Sequence, residues 1–245
     1  MTNRPSLDIL NTLYEYDDFM ASISTLVDLG CGTGEDLEWW ATRTTRDAVP
    51  IPLNIRCCGV DLLDQLPIAR KYPNISYQKT NFEQEIHTFK KSKFDVLWSH
   101  DSFQYCIDPL ATLARWKSIA SEGAMLIISV PHTVNFVQKQ MAFEQHSGCY
   151  YHHTMVSLIH MLAVNGWDCR GGYFLKPPTD NWLHAIVYNT DIAPMDPRTT
   201  SWHQLSELKL LPESADKSIM SHNYLRQQDL VIPWIDKSLT WMGKV

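Results

Sequence analysis

One seven-residue run constrains this chain more than any other: Asp28-Leu29-Gly30-Cys31-Gly32-Thr33-Gly34. Residues 25–27 before it are short and apolar, and Glu35-Asp36-Leu37-Glu38-Trp39-Trp40-Ala41 after it reads as a helix. A strand that enters a glycine turn and leaves as a helix is the ligand-cradling corner of a βαβ unit. Glycine belongs where the backbone takes positive φ or must lie flat against a ligand. The dinucleotide fingerprint G-x-G-x-x-G fails here in both registers, because its third glycine would fall on Glu35 or on Leu37. Helix N-termini attract anions, yet this helix opens on Glu35-Asp36 and the strand ends on Asp28. Such a rim repels phosphate and suits a ligand that carries positive charge.

S-adenosylmethionine meets that requirement, with a sulfonium, an ammonium and no phosphate. The spacing Asp28-x-Gly30-x-Gly32-x-Gly34 resembles the first motif of class I S-adenosylmethionine-dependent methyltransferases. The resemblance extends over about residues 25–190 and implies a Rossmann-like, doubly wound α/β fold. Its seven-stranded sheet would carry an antiparallel edge. It implies S-adenosyl-L-methionine as cofactor, held by Asp28, Gly30, Cys31, Gly32 and Gly34.

The remaining strands follow from short apolar or alternating runs. Residues 55–60 read as the second strand and end on Asp61, where a carboxylate can accept hydrogen bonds from both ribose hydroxyls. Residues 65–72 read as a short helix and 75–79 as the third strand, which leads to Asn81-Phe82. By position, the resemblance gives Asn81 and Phe82 to the adenine, with Leu62 against its face. Residues 94–98 form the fourth strand and run into Ser99-His100-Asp101-Ser102. Ligands of open α/β sheets bind beside such strand ends, so Ser99 and His100 join the cofactor set. The amino-directed nucleic-acid enzymes of the family carry a Pro-Pro-aromatic signature in this loop. Its absence favours the small-molecule branch.

Residues 109–121 read as a helix capped by Glu122-Gly123, 124–130 as a buried fifth strand, and 155–164 as a further helix. Residues 171–175 and 183–188 read as antiparallel edge strands joined by a proline-rich turn. Between strand five and the next helix, residues 131–153 carry several His and aromatic residues, Phe136, Phe143, His146 and Tyr150 among them, together with Cys149. In the resembled family this is the place of the substrate-recognition insert. Residues 191–245 form an extension, with short helices expected at 200–210 and 224–230. Trp202, Trp234 and Trp241 imply that it folds back onto domain 1–190. There it would close the site, contact a second copy in a homo-oligomer, or pack on the edge. The N-terminal residues 6–24 suit one or two amphipathic helices over the cofactor cleft or at the domain edge.

Displacement at a sulfonium needs in-line placement of the acceptor, and a base only where the acceptor must lose a proton early. His100 and Asp101 are the best-placed bases, with His132 after strand five next. The spacing of His146, His152 and His153 matches no recognised metal motif, so no metal is expected.

A net charge of −6 without a long basic run weighs against an extended nucleic-acid groove. No apolar run reaches the ~20 residues of a membrane span, and no signal core follows the N-terminus, so a cytoplasmic setting is expected. The six cysteines include no C-x-x-C pair and read as reduced thiols, with adjacent Cys57 and Cys58 on opposite faces of a strand. The resulting expectation is a methyltransferase acting on a small-molecule acceptor. The rivals are an NAD-dependent or nucleotide-sugar enzyme, a protein- or RNA-directed methyltransferase, and a non-catalytic binding protein on the same fold.

Overall fold

Alternation along the strands decides the architecture, because a strand buried on both faces must feed two separate cores. A computed structural model of the chain describes residues 6–16, 20, 22–87, 93–132, 151–175, 182–222, 224–226, 230–233, 235 and 240–241. Seven strands form one sheet: β1 (Thr25–Leu29), β2 (Arg56–Asp61), β3 (Ile75–Lys79), β4 (Phe94–His100), β5 (Ala120–Pro131), β6 (Trp167–Leu175) and β7 (Trp182–Asn189). Their order is β3-β2-β1-β4-β5-β7-β6. All pairs are parallel except those of β7, which runs antiparallel to both β5 and β6. The expected doubly wound sheet with an antiparallel edge is therefore present.

Val27, Cys58, Leu97, Leu126, Ile128 and Ala185 point into one core. Their sequence neighbours Leu26, Cys57, Val96, Trp98, Ile127 and Ile186 point into the other. Cys57 and Cys58 thus part to opposite faces, as a period of two requires. Helices α1 (Ser6–Tyr14) and α2 (Glu35–Ala41) cover the face that holds Cys57, through Leu10, Leu13, Leu37 and Trp40. Helices α3 (Pro109–Ile119) and α4 (Met155–Val164) cover the other, through Leu113, Trp116, Leu158 and Leu162. Asp108 caps α3 by accepting from the Ala111 amide, and a Thr154–Ser157 capping box opens α4. The five described cysteines are free and buried.

Three expectations need correction. Residues 65–72 hold only a single 3-10 turn, Pro67–Arg70, because the backbone of Leu66 is extended and the segment bends at once into β3. The strand after α3 begins at Ala120, without a separate cap. Ala120 pairs with Phe94, and the register then jumps so that Met125 faces Val96, which leaves the intervening residues bulged around Gly123 at φ 72°. In the extension, helices α5 (Trp202–Glu207) and α6 (Glu213–His222) form, followed by a two-stranded ladder of β8 (Ile232–Pro233) and β9 (Thr240–Trp241). Among the described residues of 224–230 none is helical, since the apolar i, i+4 periodicity belongs to the preceding stretch. His146, Cys149, Phe136, Phe143, Tyr150 and Trp234, and the turn before β7, lie outside the described residues. Among the described residues no helix is long and apolar enough to cross a membrane.

Candidate functional site

β1 and β4 are parallel neighbours whose chains leave in opposite directions, β1 towards β2 and β4 towards β5. That crevice, at the carboxyl ends of the strands, is where an open α/β sheet can take a ligand. A cleft of about 330 Å³ opens there, lined by Ser6, Asp28, Gly30–Gly32, Thr33, Glu35, Asp36, His100 and Asp101. Four of these side chains are carboxylates and none is Lys or Arg.

The glycine turn is built for this place. Gly30, Gly32 and Gly34 have φ of 86°, 50° and 85°. The Gly30 and Cys31 amides donate to the Val60 carbonyl at 2.8 and 3.1 Å, which pins the turn to β2. A Cβ on Gly30 would lie 2.5 Å from Ser102 Cβ, and one on Gly34 would lie 2.6 Å from Ile68 Cγ2, so both are packing requirements. A Cβ on Gly32 would meet nothing within 4 Å. Gly32 therefore marks the open side of the loop, where a ligand can lie against bare backbone.

Asp61 stands directly beside that open position. Its Oδ2 accepts from the Gly32 amide at 2.8 Å and its Oδ1 from the Leu63 amide at 3.2 Å. Each carboxylate oxygen retains a second lone pair. Leu62 next to it is 67% exposed. Asn81 caps its own turn by accepting from the Glu83 amide at 2.9 Å. Phe82 packs against Trp116 and lies 3.6 Å from where a Gly30 Cβ would be, so it borders the same loop. Burial, with Asp28 and Asp61 close by, pushes the Cys31 thiol far above the usual thiol range, so it is no thiolate nucleophile at neutral pH.

Asp28, Gly30, Cys31, Gly32, His100 and Asp101 thus meet in one cleft, with Asp61 and Phe82 bordering the glycine loop. Ser99 does not line it. Its hydroxyl is buried and bonds Ser102 Oγ at 2.8 Å, and Ser102 in turn donates to the Leu29 carbonyl at 2.5 Å. That chain staples the end of β4 under the glycine loop. Gly34 lies beneath the cleft at the start of α2.

His100 makes stacked contacts with Trp98 at 6.2 Å and with Trp182 of β7 at 4.9 Å. Asp101 adopts φ 56° and accepts from Gln104 Nε2 at 2.6 Å. His132 is buried and forms a β-bridge with His153, so the chain returns beside its own point of departure after residue 132. His153 stacks on Phe103, and Tyr151 donates through its hydroxyl to the Ile107 carbonyl. The root of residues 133–150 is thereby fastened to the loop that carries Asp101 and Gln104. Behind this wall, burial pushes the His184 imidazole down to about 3 and the His153 imidazole down to about 4. His184 Nδ1 lies 2.8 Å from Ser129 Oγ.

Several groups that line or support the cleft escape a reading of the sequence. Ser6 donates to Asp36 Oδ1 at 2.7 Å and Trp98 Nε1 to Asp36 Oδ2 at 3.0 Å, so one cleft carboxylate ties α1, α2 and β4 together. In the sequence Ser6 is a helix start and Trp98 an ordinary strand residue. Trp182 opens β7, far away in the chain, and no local pattern places it on His100.

Comparison with known proteins agrees with this geometry. The family model described as "Methyltransferase domain" matches residues 8–170. No curated protein matches the chain in sequence. Among solved structures, the N-methyltransferase NodS from Bradyrhizobium japonicum is 14% identical with a TM-score of 0.55, over 78% of this chain and 100% of that one. The Burkholderia thailandensis 1,6-didemethyltoxoflavin-N1-methyltransferase, solved with S-adenosylhomocysteine, is 16% identical with a TM-score of 0.53, over 77% and 78%. At such identities the likeness is one of fold.

Proposed function

We propose that this chain, which belongs to the methyltransferase domain family and is an S-adenosylmethionine-dependent methyltransferase, acts on a small-molecule acceptor by direct displacement. The observation that carries the reading is the cleft between β1 and β4: floored by bare glycine backbone, rimmed by carboxylates and with no Lys or Arg among its described lining residues. Its donor set fits a cationic, phosphate-free nucleoside better than a dinucleotide. When bound, S-adenosylmethionine supplies a methyl group already activated on a sulfonium.

In this reading the bare backbone at Gly32 lies against the ligand, Asp61 holds the ribose side with its remaining lone pairs, and Leu62, Asn81 and Phe82 border the adenine. Asp28, Glu35 and Asp36 face the positive end. Ser99 acts indirectly, by fixing the loop through Ser102. His100 and Asp101, which line the cleft, are the proposed acceptor-side bases, and His132 is a third candidate from the root of residues 133–150. Gln104 orients Asp101. The low overall basicity and the aromatic stack of His100 on Trp182 beside the cleft favour a small, ring-bearing or apolar acceptor over RNA. The reading includes a division into a methyltransferase-like domain, residues 1–190, and an extension, 191–245, in a cytoplasmic protein. Burial of Leu205, Leu210 and Leu211 in the same core as Leu158 supports an extension packed on the domain.

Calorimetric titration with S-adenosylmethionine, S-adenosylhomocysteine and NAD tests the cofactor. Binding of NAD alone would overturn the assignment. Incubation with methyl-labelled cofactor and fractionated cell extract tests the acceptor: label is expected in the small-molecule fraction, and label found only in RNA or protein would sink that half of the reading.

A further inference from the structure

A second large concavity among the described residues is remote from the cleft. A groove of about 790 Å³ runs between β6, α6 and the chain that follows α6, and its lining includes Arg170, Glu213, Lys217, His222 and Arg226. β6 is the sheet edge, four strands from β1 in the order β1-β4-β5-β7-β6, which at ~4.8 Å per step puts the groove roughly 19 Å from the glycine loop.

The strand is deformed to serve this groove. The register of β6 with β7 breaks between Asp168 and Tyr173, and Asp168 Oδ1 accepts from the Arg170 and Gly171 amides at 2.7 and 3.1 Å. A bulge of this kind re-aims a side chain at a sheet edge, and here it delivers Arg170 to the groove. The guanidinium is only partly used. Its Nη2 donates to Asp216 at 3.0 Å, Nη1 makes only a loose ion pair with Glu213 at 3.9 Å, beyond hydrogen-bond reach, and Nε is buried with no hydrogen-bond partner among the described residues. The side chain is 28% exposed. Lys217, one turn along α6, is exposed, and Arg226 is half-buried on the opposite wall. Among the described residues, three basic side chains line the groove against one acid, Glu213, with Asp216 bound to Arg170 beside it, in a chain whose net charge is −6. Ser214 and Ser221 add hydroxyls to the wall, and His222 an imidazole whose Nδ1 has no partner.

We propose that this groove is a second binding site, for a small polyanion of the phosphate or polycarboxylate class, gripped by Nη1 of Arg170, which an anion would take over from its loose contact with Glu213, together with the exposed Lys217. A guanidinium fork and an ammonium at the mouth of a concavity are the groups that pair oxyanions most strongly. The site is independent of the cofactor cleft, which is acidic where this groove is basic.

Inorganic pyrophosphate and citrate are the probes, titrated calorimetrically into the full chain at low ionic strength. One saturable site with Kd below about 1 mM is expected for at least one of them. The probe that binds tells phosphate from carboxylate. Lys217→Glu, on an exposed helix face that tolerates the change, is expected to weaken binding by about tenfold or more, and Arg170→Met to abolish it. S-adenosylmethionine affinity should stay the same in both. Arg170→Met is scored only if its thermal unfolding remains cooperative; Lys217→Glu carries the test regardless. Absence of saturable binding for both probes, or binding that Lys217→Glu leaves unchanged, would overturn the proposal.

Discussion

Asp61 and Gly32 divide the work of the cleft between a charge and a gap. The Gly32 amide already donates to Asp61, so the carboxylate shapes the loop as well as facing the ligand side. Asp61→Ala is expected to weaken S-adenosylmethionine binding by about tenfold to a hundredfold, the cost of losing hydrogen bonds to a charged acceptor. Gly32→Val is expected to do at least as much. A β-branched side chain is strained at φ 50°, and it would fill the space that no protein atom now occupies. Calorimetry on variants with unchanged circular dichroism checks both, and undiminished affinity would move the cofactor elsewhere. These residues were legible in the sequence because their signal is local: a glycine spacing, then an acid at the end of the next strand. Ser99 was legible only by position. Whether its hydroxyl meets a ligand or Ser102 depends on which turn closes over it, and that is a tertiary fact. The stack of His100 on Trp182 was not legible at all, since the partners lie on separate strands far apart in the chain.

The elements themselves followed from periodicity wherever burial was one-sided or complete. All seven sheet strands stood in the sequence as apolar or alternating runs, β6 only from Gly171 although it begins at Trp167, and the two cores explain why the central runs are continuous. Boundaries failed where backbone pairing rather than side-chain pattern decides them, as at the bulge around Gly123 and the short turn Pro67–Arg70. Two contacts between elements carry predictions. Ser6 joins α1 to the cleft through Asp36, so Ser6→Ala should loosen α1 by about 1–2 kcal/mol. Faster amide exchange at Leu10 and Leu13, with β4 unaffected, is the expected signature; unchanged protection would mean that the apolar face of α1 holds it unaided. Lys117 near the end of α3 donates to Gly166 O, Asn189 Oδ1 and Thr190 O at 2.6–2.9 Å, which locks the ends of α4 and β7 beneath it. Burial pushes its amine down to about 8, so the ammonium with its three donors is still the form present at neutral pH. Lys117→Met strands three acceptors and should cost about 3 kcal/mol in urea unfolding, with cofactor affinity unchanged.

At the scale of the whole molecule, the wall behind the cleft sets how the protein meets acid. His184 and His153 are buried, and their imidazoles are pushed down from 6.5 to about 3 and about 4, by burial first and then by His100 and His152 respectively. In the unfolded chain both take up protons near pH 6.5. Between that pH and their folded values the unfolded state therefore binds more protons than the native one, and stability falls as pH falls. It is whole above about pH 6.5 and erodes down to pH 3–4, at about 1.4 kcal/mol per pH unit for each residue, so the pair removes roughly 4 kcal/mol by pH 5. His184→Asn, whose amide oxygen can accept from Ser129 where Nδ1 now lies, removes one of the two protons from this balance. Urea unfolding from pH 7.5 to 5 should lose stability with a slope near two protons in the parent chain and near one in the variant. Equal slopes would show that His184 charges without unfolding the sheet. The same imidazoles, neutral at pH 7, add no positive charge behind His100, so the cleft keeps its acidic character across the pH range in which the fold is most stable.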